Sequence, residues 1–220
     1  MEQATGALII STIVGGAAIL ISLSIHEFSH ALAAYLQGDK TAHYAGRLTL
    51  NPLAHIDPIG TLLVPGILLL THAPFLIGWA KPVPFNPHNL KNARYGPLYV
   101  GLAGPAANAI LFLCAAFSLK YFFPLYGPEN FLIVFLSQLM VINFVLGIFN
   151  LVPIAPLDGS KVLPSLLGPR FGHITEFFER YGNTLLLVVL FIDFMIYPFL
   201  RHVIGFLFLR TTNLLGVPLF

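Results

Sequence analysis

The sequence predicts an all-α polytopic membrane protein. Of its 220 residues, 57% are hydrophobic and only 9% are charged, and its mean hydropathy of +0.83 lies far outside the range of soluble globular domains. Apolar runs recur at the length that a helix needs to cross a bilayer. Because no polar stretch is long enough to fold separately, we expect residues 1–220 to form a single membrane-embedded domain.

The first predicted transmembrane helix, at about 5–36, carries the sequence HEFSH toward its C-terminal end. Two histidines four residues apart lie on one face of a helix, where both imidazoles reach a single Zn²⁺. An ionisable residue inside an apolar span is costly and therefore marks a functional site by default. The motif predicts that His26 and His30 bind zinc and that Glu27 is the catalytic base. The alternative is a chance polar cluster packed against other helices.

The next segments break the helical pattern. Residues 41–50 read TAHYAGRLTL, with a glycine among residues that favour strands, and predict a short β-hairpin. Prolines, Asp57 and Gly60 then enforce turns. His55 lies beside Asp57; a hydrogen bond that stabilises the turn is its expected role, and a position facing the metal is the alternative.

Three further membrane helices are predicted, at about 97–121, 131–149 and 183–197. The apolar stretch at 59–77 is interrupted by Pro65 and Gly66, so we expect a re-entrant or partial segment. Residues 164–182 are more polar and fit an interfacial position. After Pro198, the last apolar piece predicts either a kinked continuation or an interfacial helix.

A third zinc ligand is needed, because catalytic zinc sites commonly have three protein ligands and one open position. Cys114 is the only cysteine, so no thiolate cluster can form. Asp158 is the best choice, since it ends a stretch in which two prolines break a membrane helix. Broken backbone at membrane depth is tolerated only where it lines protein or a wet cavity. The alternative is a loop aspartate that caps the next helix.

This ligand set constrains the topology. The spans at 5–36 and 131–149 must end on the same side of the bilayer, which requires that 59–77 does not cross. Most basic residues then gather on that side, which the positive-inside rule assigns to the cytoplasm, and the N-terminus lies outside. The gathered residues are Lys40, Arg47, Lys81, Lys91, Arg94, Lys161, Arg170 and Arg180, against Lys120, Arg201 and Arg210 opposite.

Other partners are limited by charge. A net charge of +2 is too small to indicate nucleic-acid binding, and the few basic residues fall in loops where membrane topology explains them. The expected environment is the lipid bilayer. No feature of the sequence sets the oligomeric state.

Three motifs together resemble the site-2 protease family of intramembrane zinc metalloproteases: HEFSH, GPAAN at 104–108 and NLVPIAPLDG at 150–159. The stretches NPLAHIDPIGT and GWAKPVPFNP look like the small prokaryotic branch of that family. The resemblance covers most of residues 20–160. Family members often carry an appended regulatory domain, and we expect none here.

The resemblance implies hydrolysis of peptide bonds within or near transmembrane segments of membrane-anchored protein substrates, in regulated intramembrane proteolysis. It implies one Zn²⁺ per chain on His26, His30 and Asp158, with Glu27 as general base. Asn150, and more weakly Asn108, match family positions near the substrate.

Several alternatives remain open from the sequence. Asn150 either donates a hydrogen bond to the substrate or only stabilises the helix break. The hairpin either holds an unwound substrate by strand addition or only connects two segments. A membrane zinc transporter or metal sensor is the second function, and it predicts further ligands along a path across the bilayer. An inactive scaffold is the third, and the intact HEFSH argues against it.

Overall fold

The computed structural model describes residues 2–71, 78–168 and 171–218, with side chains from residue 10 onward. All regular elements in these ranges are helical, which confirms the predicted all-α class. The α-helices are α1 (Glu2–Leu36), α2 (Thr41–Tyr44), α3 (Val64–Leu70), α4 (Gly96–Tyr126), α5 (Phe131–Asn150), α6 (Gly159–Leu167), α7 (Gly172–Met195) and α8 (Phe199–Leu215). Short 3₁₀ turns lie at Pro52–Ala54 and Pro87–Asn89, and a π-helical turn at Pro58–Leu63 leads into α3.

Three of these helices are long and apolar enough to span a membrane within the described residues: Ile10–Leu36 of α1, α4 and α5. They pack against one another, and α4 makes extensive contacts with both of the others. Ala18, Ala115 and Ala116 are fully buried between them, because small side chains let membrane helices approach closely. This three-helix unit carries the site described below.

The predicted hairpin at 41–50 is wrong. Within this stretch, which the structure describes in full, Thr41–Tyr44 is a helical turn and no strand forms. The cause is Asp39, whose carboxylate accepts hydrogen bonds from Thr41 N at 3.1 Å and Thr41 Oγ1 at 2.5 Å and so favours a helical start. Gly46 adopts a φ of +67° and ends this turn instead of joining two strands.

The stretch predicted as re-entrant lies in the segment between α1 and α4, and two backbone hydrogen bonds show how this segment folds back. Trp79 N donates to Gly60 O at 3.1 Å, so the chain on both sides of α3 lies together. Lys91 N donates to Gln37 O at 2.9 Å, which places the start of α4 beside the end of α1. The chain between α1 and α4 therefore begins and ends at the same end of the α1–α4 pair, and the expectation that 59–77 does not cross the bilayer stays a prediction. Residues 72–77 of the predicted stretch lie outside the described residues.

The C-terminal part differs from its predicted boundaries. The helix predicted at 183–197 begins at Gly172 instead, so the polar residues 172–182, expected in an interfacial segment, belong to α7. An 80° bend separates α7 from α8, and Pro198 at the bend lacks the N–H that a continuous helix needs. The bend confirms an interruption at Pro198, and both predicted alternatives, a kinked continuation and an interfacial helix, stay open. α8 packs on the three-helix unit, with Phe208 and Phe144 ring centroids 5.3 Å apart.

Candidate metal centre

One helix and the loop after α5 bring three possible ligand atoms close together. α1 places His26 and His30 one turn apart, with their Nε2 atoms 3.0 Å from each other. Asp158 follows the proline-containing loop after α5, and its Oδ2 lies 3.0 Å from both Nε2 atoms. All three residues are buried. Among the described residues, they form the single group of three that could hold a metal ion.

The partners of the other ring nitrogens fix which atoms carry protons. His30 Nδ1 lies 2.6 Å from Val100 O, a backbone carbonyl that can only accept, so Nδ1 is the protonated nitrogen. In neutral His30, Nε2 therefore carries a lone pair. His26 Nδ1 contacts Asn108 Oδ1 at 2.6 Å in the same way. Two imidazole lone pairs and a carboxylate oxygen thus converge, and this is a donor set for a cation.

Gly104 of α4 has no side chain, and this leaves space beside the Nε2 atoms of His26 and His30. A Cβ at this position would overlap His30 Nε2 and would lie 2.7 Å from His26 Nε2. No other residue type fits here without displacing the histidines. The absent side chain leaves room beside the Nε2 atoms of both histidines.

The donor set fits zinc in composition and spacing. Zinc ligands at about 2.0–2.1 Å in tetrahedral geometry stand about 3.3 Å apart. The three atoms here are 3.0 Å apart, close to that spacing. His26, His30 and Asp158 would be the protein ligands, and three of them leave the fourth position open, as catalytic zinc sites do.

Glu27 lies next to the centre and is held by a loop that is distant in sequence. Its Oε2 accepts a hydrogen bond from Val83 N at 3.1 Å. The same loop is fixed in turn by Lys81 N, which donates to His55 O at 2.9 Å. The half-buried carboxylate of Glu27 is therefore oriented by backbone of the stretch GWAKPVPFNP.

The second oxygen of Asp158 has its own partner. Lys161 Nζ lies 2.7 Å from Asp158 Oδ1, across the first turn of α6. Oδ1 is thereby occupied, and Oδ2 alone faces the histidines. Asp158 does not cap α6 with its side chain, so the capping role that the sequence left open is not the one this side chain adopts.

The other residues predicted to have a role, Asn108, Asn150 and His55, are not part of the group of three possible ligands. Asn108 is fully buried between His26 and Asn143, and its expected contact with substrate stays a prediction. Asn150 Nδ2 donates to Leu146 O at 3.0 Å, one turn back in α5. His55 Nε2 lies 2.8 Å from Thr49 O and stabilises the turn; it does not face the metal ligands.

Sequence reasoning missed three contributors to the site. Gly104 is part of GPAAN, in which the glycine indicates close packing but not what it packs against. Lys161 stands three residues after Asp158, a spacing that places two side chains on one helix face and could have indicated the pair. Val83 acts through its backbone, so no residue-type signal exists for it.

The family comparison and the comparison with curated proteins agree on one family. The family described as Peptidase family M50 matches residues 127–193. YwhC of Bacillus subtilis, a candidate zinc metalloprotease by name, is 38% identical over 177 residues, covering 78% of this chain and 77% of YwhC. Rip2 of Mycolicibacterium smegmatis, named in the same way, is 33% identical over 172 residues, or 78% of this chain and 64% of Rip2. No solved structure matches the chain significantly.

Proposed function

The chain belongs to peptidase family M50 and is a zinc metalloprotease, and from that premise we propose that it cleaves membrane-anchored proteins within or near their transmembrane segments. One Zn²⁺ per chain is bound by His26, His30 and Asp158. The most direct support is the convergence of their three ligand atoms at 3.0 Å, with Glu27 beside them.

Zinc supplies Lewis-acid activation of water and of the scissile carbonyl when it is bound. Glu27 accepts a proton from the attacking water and then passes it to the leaving nitrogen. The hydrogen bond from Val83 N keeps the Glu27 carboxylate turned toward the loop that borders the site. The general base is thus oriented before substrate arrives, which removes part of the entropic cost of the reaction.

Asn150 is proposed to contact the substrate at the break after α5. Its Nδ2 donates to Leu146 O, and its side chain is only partly buried. Reaching a substrate carbonyl requires that this intrahelical bond be released. Strand addition to residues 41–50 is withdrawn, because Asp39 directs their first turn into a helix and no strand forms there.

The site is proposed to face the cytoplasm. It lies at the end of the three-helix unit where α1 ends and α4 begins. Lys40, Arg47, Lys81 and Lys91 belong to the loops at this end, whereas Lys120 contacts Leu215 at the other end of α4. This asymmetry supports an N-terminus on the outside.

A zinc transporter or metal sensor is not favoured. Transport requires ligands along a path through the bilayer. The part of the chain that the structure describes contains a single His/Asp/Glu group able to hold an ion. That group is buried at one end of the helix bundle, as a catalytic centre requires.

Glu27→Gln tests the proposal. The variant retains the three zinc ligands and loses the group that accepts the proton, so we expect normal zinc content and loss of cleavage of a membrane-anchored reporter. Glu129→Gln, at an exposed loop position, is the matched control and retains activity. Cleavage that persists in Glu27→Gln contradicts the mechanism.

A further inference from the structure

A buried chain of hydrogen bonds leads from His26 into the centre of the three-helix unit. His26 Nδ1 contacts Asn108 Oδ1 at 2.6 Å, and Asn108 Nδ2 donates to Asn143 Oδ1 at 2.7 Å. Asn143 Nδ2 donates to Ser22 Oγ and to Leu139 O, each at 2.8 Å. The side chains of Asn108, Asn143 and Ser22 are 0% exposed, so water cannot substitute for any of these partners.

The direction of this chain is set at its far end. Leu139 O is a backbone carbonyl and can only accept, so the atom of Asn143 that faces it must be the amide nitrogen. Asn143 then presents its oxygen to Asn108. Asn108 must therefore donate to that oxygen through its own amide nitrogen, and its amide oxygen then faces His26.

The tautomer of His26 follows from this direction. Asn108 Oδ1 accepts only, so His26 must carry its proton on Nδ1. The lone pair on Nε2 then faces His30 and Asp158. A single backbone carbonyl in α5 therefore determines which nitrogen of a residue in α1 is free to bind a metal.

We infer that Asn143 is a positioning residue, which sets the tautomer and orientation of His26 through Asn108. This inference rests on the proposed function, because it assumes that His26 binds zinc. Partners of metal-bound histidines typically change metal affinity by about 10–100-fold when they are removed. Asn143 lies one residue further from the metal than such partners, and its effect is transmitted by the Asn108 amide, which is free to rotate once Asn143 is lost.

The alternative is that Asn143 only ties α5 to α1. The chain contains a matched control for that role, because Gln138 Nε2 donates to Ser11 O at 3.0 Å and to Ser11 Oγ at 2.9 Å. Gln138 is also an amide on α5 that is bonded to α1, and it is bonded to no residue of the metal centre. A purely structural role predicts similar effects of removing either amide.

The test is the zinc dissociation constant of the full chain in lipid nanodiscs, measured by competition with a chelator. We expect Asn143→Leu to weaken zinc binding about 10-fold or more and Gln138→Leu to leave it within about 2-fold of wild type. Adding Asn108→Asp to Asn143→Leu restores affinity, because both carboxylate oxygens accept and the proton of His26 stays on Nδ1. A structural role predicts the same gain in affinity when Asn108→Asp is made alone in the wild-type chain, where only the added charge acts.

Three results overturn the inference. They are zinc affinity at the wild-type level in Asn143→Leu, an equal loss of zinc affinity in Gln138→Leu, and no recovery of zinc affinity when Asn108→Asp is added to Asn143→Leu. Should Asn143→Leu not fold, nitrogen-15 NMR of histidine-labelled wild type without zinc reads the His26 tautomer directly, and a proton on Nε2 is the contradicting result. A failure of the proposed function is distinguishable from these results, because the wild-type chain would then bind no zinc. In that case the inference about Asn143 fails as well, since it assumes that His26 binds zinc.

Discussion

At the scale of single residues, the candidate metal centre depends on the missing side chain of Gly104 as well as on the side chains of the histidines. His26 and His30 are proposed zinc ligands, and the missing side chain of Gly104 leaves room beside their Nε2 atoms. The convergence of both histidines with Asp158 follows from sequence, because motif spacing and a broken helix are local features. The role of Gly104 does not follow, since it depends on how α4 crosses α1.

Gly104→Ala is expected to abolish zinc binding. The added methyl group occupies the space that both Nε2 atoms face, so the variant folds but holds far less than one zinc per chain by elemental analysis. Gly16→Ala on α1 is the control, because no atom lies within 4 Å of its Cβ position. Full zinc content in Gly104→Ala would mean that the metal lies elsewhere.

Lys161→Met is expected to weaken zinc binding about 10-fold. The substitution leaves Asp158 Oδ1 without its partner at 2.7 Å, so the carboxylate is no longer held with Oδ2 toward the histidines. Lys120→Met, which removes an ammonium at the opposite end of α4, serves as the control in the same chelator competition. Equal affinities in both variants contradict this role of Lys161.

At the scale of elements, the site depends on segments that contain no ligand. α7 touches the loop before Asp158 through Gly182, whose Cβ position lies 2.8 Å from Ala155 N and O. Asp39 joins the end of α1 to the following loops by accepting from Asn86 N at 2.7 Å and Asn89 Nδ2 at 3.1 Å. Both contacts hold loops that border the metal centre.

Gly182→Ala is expected to move the Asp158 loop and so lower both zinc affinity and stability, the latter by about 1–3 kcal/mol as in overpacked cores. Gly205→Ala on α8 meets no atom within 4 Å and should change neither. Thermal unfolding and chelator competition on the two variants measure the effect. An unchanged zinc affinity in Gly182→Ala shows that α7 does not support the loop.

Asp39 predicts a pH dependence of stability. Burial alone would raise the pKa of Asp39, but hydrogen bonds from Thr41, Asn86 and Asn89 outweigh burial and hold this pKa below its ordinary value. The stabilisation is therefore present above the unfolded pKa of about 3.9 and is lost as pH falls through the folded pKa.

Asp39→Ala should accordingly cost about 1.5–3 kcal/mol at pH 7, and its gap to wild type should shrink below about pH 4. Thermal unfolding of both proteins between pH 7 and pH 2 measures the gap, with exposed Glu129→Ala as control. A gap that is constant with pH is the contradicting result.

The elements also show where sequence reasoning stops. The long apolar helices are predictable, because a membrane span leaves an unambiguous run of apolar residues. The hairpin at 41–50 fails because one carboxylate, Asp39, favours a helical turn that strand propensity does not reveal. The start of α7 at Gly172 is missed because its first residues are polar, although they continue one helix.

At the scale of the whole molecule, three packed helices hold a metal centre at one end of the bundle. The polar chain from His26 to Ser22 is buried inside this unit, and α8 packs against the hydrophobic core of the same unit through Ile204, Phe208 and Leu215. The end of α1 lies beside the start of α4, and this arrangement is compatible with the even number of crossings that the proposed ligand set requires. The proposed hydrolytic site thus lies near the end of a long apolar helix and is bordered by loops.

The most direct test of this account is to reconstitute the wild-type chain in lipid vesicles with a membrane-anchored reporter and to map the cleaved bond by mass spectrometry. We expect a zinc-dependent cut within or next to the transmembrane segment of the reporter, absent in Glu27→Gln and after zinc removal. A cut confined to the soluble part of the reporter, or one that persists without zinc or Glu27, would contradict it.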